Sequence, residues 1–369
     1  MYMGWATPVL MGLIWHLLPR GATREYDGAF RGIIGATFGA ALLAYPLFPL
    51  YGYSLVQMEP VRMPVAAAVS GLNILCWYAF AGLYVAGMWQ LARGGALRVW
   101  DAALAFLILS TLGAWGVGVL HAMSIQDPIW TAASIHFYLG LFSEGWFVLG
   151  VLRVAVARLD PSRETWGAPL LIVAGGLPFS FLMALPSAHL SGGVMLLGQI
   201  GGGLVGTGLL LITVRLGRPV MARDVRWLWG LPLLALGMKA AGQLGGALVR
   251  RLWLSDHPDL RVLYLHLMLL GVVSMGLVVG AREVGSGVSR RGVAAFYGAV
   301  GLVLGSLVAL WWPGGFLPRQ VAAWVALLPL LAAGRLLAES VIRYRTCLAD
   351  GYVAETQWAK CTTVPKRPL

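Results

Sequence analysis

A chain of 369 residues that is 59% hydrophobic and only 11% charged cannot cover a water-exposed surface, since soluble domains carry roughly 25% charged residues. Its net charge of +12 comes from basic residues scattered between apolar runs, so the gathered basic patch of a nucleic-acid-binding protein is missing. The 49 glycines fit a lipid-embedded chain, where small residues let helix backbones approach closely.

A spanning helix needs about 20 mostly apolar residues. In chain order such runs fall near 3–18, 29–52, 64–92, 98–122, 128–158, 167–185, 191–216, 226–251, 261–281, 292–312 and 318–343. The expected fold is all-α, a polytopic transmembrane bundle of about eleven (ten to twelve) helices. The bundle is expected over 1–343 and a short polar tail over 344–369. No basic n-region precedes the first apolar run, so no cleavable signal peptide is expected.

The loops between runs alternate in charge. One side collects 21 basic residues, from Arg20, Arg24 and Arg31 through to Lys366 and Arg367. The other side has five: Arg62, Arg250, Arg251, Arg261 and Arg319. Lys239 is left inside a span. Positive-inside bias puts the larger set in the cytoplasm. With eleven spans, the N-terminus is then outside and the C-terminus, with its tail, cytoplasmic. The expected location is a bacterial-type inner membrane, and the lipid bilayer is the first partner.

Polar groups inside hydrocarbon are costly and mark either structural pairs or working sites. Glu144, in SEGWF, and Lys239, in LGMKAAGQL, sit near the middle of their runs at matching depth. They read as a proton-transfer or ligand site, or as an ion pair locking two helices. Asn73, Gln199 and Gln243 are further buried polar groups, with interhelical hydrogen bonding as their ordinary role. Five of the six histidines fall at or near the outer leaflet, with only His16 near the inner face. His121, His136 and His266 are the candidates for cofactor binding, because imidazole ligates haem iron and copper. The alternative is headgroup-level hydrogen bonding. His136 and Glu144 are eight residues apart on one run, about 12 Å along a helix axis.

Cys76 lies in an apolar run, and Cys347 and Cys361 lie in the tail without a CxxC pair or histidine partners, so all three read as free thiols. Tryptophans near run ends (Trp130, Trp166, Trp227, Trp229, Trp253, Trp311 and Trp312) suggest an aromatic belt. The glycines of GQIGGGLVGTG suggest close helix packing in the seventh run. A phosphate loop is the poorer reading there, with no strand before it and no Lys-Ser/Thr after it.

Three segments carry a family resemblance. GWATPVLMGLIWHLLPR (4–20), with Gly4, Trp5, Gly12, Trp15, Pro19 and Arg20, resembles a helix of the haem-copper oxidase subunit I superfamily, which includes cbb3-type oxidases, nitric oxide reductases and NnrS-like proteins. YLHLMLLGVVSMGLVVG (264–280), with His266 and Gly271, is similar to the His-x-x-x-x-Gly helices of that group. IHFYLGLFSEGWFVLGVL (135–152) resembles a helix of oxidase-like bacterial membrane proteins, and Lys239 and Gln243 fit the same comparison. The resemblance implies a twelve-helix core, haem or metal binding, and a place in a respiratory or nitric-oxide-related electron-transport system with other membrane or redox subunits as partners. It does not imply oxygen reduction. In those proteins a histidine precedes Gly-Trp, and here the sequence begins three residues before it, so either the start lies upstream or that ligand is absent; no adjacent His-His pair or late His-x-His is present, and Gly140 stands where histidine is expected. Two other functions remain open on the residues alone: a transporter or channel built around Glu144 and Lys239, and a non-catalytic subunit of a larger membrane complex.

Overall fold

The computed structural model describes residues 2–52, 56–58, 61–63, 65–91, 95–125, 127–159, 167–221, 226–249, 252–311 and 319–349. They form an all-α helical bundle with one small hairpin. In chain order the elements are α1 (Tyr2–Leu17), α2 (Asp27–Tyr51), the antiparallel hairpin β1 (Val56–Met58) and β2 (Val61–Met63), α3 (Val65–Met88), α4 (Gly95–Ala122), α5 (Pro128–Leu159) and α6 (Gly167–Ser180). They continue with α7 (Gly192–Met221), α8 (Arg226–Leu248), α9 (Pro258–Glu283), α10 (Arg290–Trp311), α11 (Arg319–Val325) and α12 (Leu328–Ala349). Helices dominate because hydrocarbon offers no hydrogen bonds, so each segment must satisfy its own backbone.

Among the described residues, nine helical stretches are long and apolar enough to cross a membrane. Two of the eleven expected spans form helices outside that set. The helix α1 has 16 residues, and α8 has 23 with Lys239 and Gln243 in its middle. The last expected span breaks at Ala326–Leu327, just ahead of Pro329, whose ring nitrogen cannot donate to a preceding turn. Of the expected tail, residues 350–369 lie outside the described residues.

The chain packs as two compact units, one of Met1–Ile212 with Gln243–Asp256, the other of Thr213–Gly242 with His257–Leu369. In the first unit α6 and α7 touch backbone to backbone, as the glycine run suggests. A Cβ on Gly176 would lie 2.5 Å from Gly201 O, and one on Gly201 would lie 2.7 Å from Ser180 N. The loops beyond are tied by Trp253, whose Nε1 donates to Leu185 O at 2.9 Å, and by Ser187, whose Oγ donates to Asp256 Oδ2 at 2.6 Å. Trp253 and Trp229 are fully buried, which corrects their assignment to the aromatic belt. Trp130 is 63% exposed, as a belt residue should be.

Two spans, one from each unit, share a sequence register. Shifted by 130 residues, α5 and α9 align Pro128 with Pro258, His136 with His266, Leu139 with Leu269, Val148 with Val278 and Gly150 with Gly280. Both open on proline at the first helical position, which suits a residue without an N–H. Both then widen into a π-helical stretch, Leu141–Val148 in α5 and Leu267–Ser274 in α9.

Candidate functional site

In the first unit the site is built on α5. Asp127 caps it, accepting from Ile129 N at 2.8 Å, which satisfies one of the free donors of the first turn. Its partner α4 lies against it at glycine contacts. A Cβ on Gly113 would come within 2.7 Å of Tyr138 N, and one on Gly116 would meet Ser134 Oγ at 3.0 Å. Deeper in the span the π turn replaces the α-helical ladder and changes the faces of the residues that follow. Phe142 packs on Trp77 of α3 with ring centroids 4.9 Å apart, and Trp146 meets Phe80 edge-on at 6.4 Å. Gly145 takes Phe106 of α4, whose Cβ would be 2.5 Å from an added methyl.

Glu144 lies in the same π turn and is 8% exposed. Gln243 Nε2 donates to Glu144 Oε2 at 3.3 Å. Gln243 is 2% exposed, so this is a buried amide–acid contact in an apolar setting, where such a bond gains strength from the low dielectric. Beyond it, Arg153 places its guanidinium 4.6 Å over the ring of Trp100. Tyr84 donates its hydroxyl to Asp101 Oδ1 at 2.9 Å.

In the second unit α9 carries His266. Its Nδ1 is 2.8 Å from Val262 O. A carbonyl can only accept, so Nδ1 holds the proton, and in the neutral imidazole Nε2 presents its lone pair. Lys239 of α8 is fully buried, and its Nζ lies 5.5 Å from the centroid of the Tyr264 ring, a cation–π distance. At the other end of α9, Glu283 Oε1 accepts from Trp229 Nε1 at 2.9 Å, and Tyr297 donates its hydroxyl to Leu228 O at 2.6 Å.

The structure brings some of the expected residues together and separates others. Glu144 and Gln243 meet. Asn73 is buried on α3, and Gln199 is only half-buried on α7. His121 is exposed at the C-terminal end of α4, and His136 is half-buried on α5. Since Gly116 faces Ser134, His121 lies level with residue 129, seven residues or about 10 Å along the axis from His136. His136 also lies on the side of α5 away from Ser134 and Tyr138, which face α4. The eight-residue spacing of His136 and Glu144 assumed an unbroken α-helix, and the π turn from Leu141 interrupts it. No three His, Cys, Asp or Glu side chains gather as a metal group among the described residues.

Sequence reasoning missed the π turns, the Tyr264 ring over Lys239 and the Trp229–Glu283 bond.

These features define a multi-pass integral membrane protein, a helical bundle with Glu144 buried in a π-distorted span and Lys239 buried on a regular helix. Comparison with known protein families and with curated proteins finds no match.

Proposed function

We propose that this membrane protein is an oxidase-like bundle that binds haem or a metal through His266, in a respiratory or nitric-oxide-related system, without oxygen-reducing activity. The observation that carries this reading is the His266 imidazole. Its Nδ1–H is held by the Val262 carbonyl, the second contact that orients a ligating histidine and leaves Nε2 for the metal. The donor set would fit a group held by one imidazole, not by a three-residue cage. Bound haem would supply a redox-active or gas-binding iron, and the chain's part is to fix the ring that holds it. The expected setting is the cytoplasmic membrane, C-terminus inside, which the uneven distribution of arginines supports. In protein purified from haem-replete cells, a Soret band should be present, absent in His266→Ala and retained in His121→Ala. Loss of the band in neither variant would rule out His266 as ligand.

A second reading rests on a different observation. The buried Glu144–Gln243 contact in a π turn is a chemically suitable proton or cation site for a transporter or channel. Flux in proteoliposomes, lost in Glu144→Gln, would favour it. Flux unchanged by that substitution would remove it.

A further inference from the structure

We infer that the seam between α3 and α5 in the first unit is a binding site for water, a file of solvent molecules leading from Asn73 towards Arg153. On α3 the residues Asn73, Trp77, Phe80 and Tyr84 follow one another at helical spacing on one face. Two of them meet α5, Trp77 at Phe142 and Phe80 at Trp146, and Arg153 lies about two turns further along α5. The ring pairs Trp77–Phe142 and Phe80–Trp146 fix the register, so the two helices run in the same direction and Asn73 lies near the level of Tyr138. Among the described residues, four polar atoms along or at the end of this seam have no hydrogen-bond partner: Asn73 Oδ1, Trp77 Nε1, Trp146 Nε1 and Trp100 Nε1. Trp77, Trp100 and Trp146 are each at most 1% exposed. Thr7 Oγ1, on α1, is also buried and unpartnered. It lies one turn before Leu10, which packs on Gly150 of α5.

Chance does not place so many unpaired groups on one seam, because buried polar groups are almost always bonded to protein or to ordered water. The chemistry of the set is that of a water site. Indole N–H groups only donate, the Asn73 carbonyl oxygen only accepts, and a hydroxyl such as that of Thr7 does both. A water molecule needs two to four such partners and uses both senses. From the level of Asn73 to that of Trp100 the seam spans roughly 20 Å, and one end is polar. There Arg153 lies over Trp100, and Tyr84 bonds Asp101, a natural mouth for solvent.

The buried tryptophans supply their own controls. Trp229 and Trp253 are as buried as Trp77, Trp100 and Trp146, but their indole N–H groups are bonded within the protein. Synchrotron hydroxyl-radical footprinting of the intact protein in detergent generates radicals from water beside each side chain. Trp77, Trp100 and Trp146 should label roughly tenfold faster than Trp229 and Trp253, since ordered water lies against them. Asn73→Leu should lower the labelling of Trp77 and leave Trp229 and Trp253 unchanged. Equal, slow labelling of all five buried tryptophans in the wild-type protein would overturn the inference, whether the seam is dry or filled by another molecule. If Asn73→Leu does not fold, the wild-type rates alone decide. The measurement needs no bound haem, so a colourless preparation tests the reading of His266 and leaves this one to its own outcome.

Discussion

The spans α5 and α9 begin alike and diverge in what they bury. Both start at proline, carry histidine eight residues on, widen into a π turn and reach glycine at the same distance. At the position sixteen residues after the proline, α5 has Glu144 and α9 has Ser274. Glu144 takes the amide of Gln243, whereas Ser274 turns its hydroxyl back onto its own helix, donating to Leu269 O at 2.8 Å. The cation of the second unit, Lys239, sits on the neighbouring helix against Tyr264. Their partners also differ in tightness. Gly113 presses α4 onto the backbone of α5, while a Cβ on Gly242 would be 4.0 Å from Tyr264. One helical frame thus serves two chemistries, and the difference lies in a few residues that set charge and approach distance.

The sharpest way to break this comparison is at those two glycines. Gly113→Ala should destabilise the protein by about 3 kcal/mol, since the new methyl meets backbone atoms that cannot yield, while Gly242→Ala should stay within about 0.5 kcal/mol. Thermal unfolding in detergent measures both, and equal costs would show the two helix pairs to be packed alike. Next comes the buried amide. Gln243→Leu should cost about 2 kcal/mol by removing a donor from a buried carboxylate, and Glu144→Leu made together with it should recover part of that loss in a double-mutant cycle. In the second unit, Trp229→Phe removes the donor to Glu283, worth about 1 kcal/mol at the scale of hydrogen bonds within membranes. One further effect has the opposite sign. Ser124, just after α4, holds a φ of 55° as the left-handed residue that closes the helix, with Ile125 N donating to Leu120 O. Ser124→Gly should raise stability by about 0.5–1 kcal/mol, because glycine adopts that conformation without a Cβ penalty.

Much of the architecture was legible because hydropathy is a property of whole segments. Each of the eleven expected runs corresponds to helix, and the glycine run of α7 does pack closely. Composition could not show where a ladder changes pitch. The π turn that places Glu144 depends on how Phe142, Gly145 and Trp146 meet α3 and α4, contacts made by residues far away in the chain. For the same reason Trp229 and Trp253 looked like belt residues. Their positions near run ends were read correctly, but whether an indole faces lipid or a neighbouring loop is decided by tertiary packing. The buried amide–acid contact was half legible. Glu144 and Gln243 stood out as polar residues in apolar runs, yet nothing in the spacing joined them across 99 residues. The histidines were legible as candidates and not as a set, because convergence is a matter of helix register and facing. The α4–α5 register sends His121 and His136 to different levels.

The central question is whether the imidazole of His266 holds iron. Metal content per chain, measured by mass spectrometry on protein purified from haem-replete cells alongside His266→Ala, addresses this directly. Equimolar iron in the wild-type protein, lost in a variant that still folds, is the predicted result. A folded wild-type protein free of iron and of any other transition metal would contradict it.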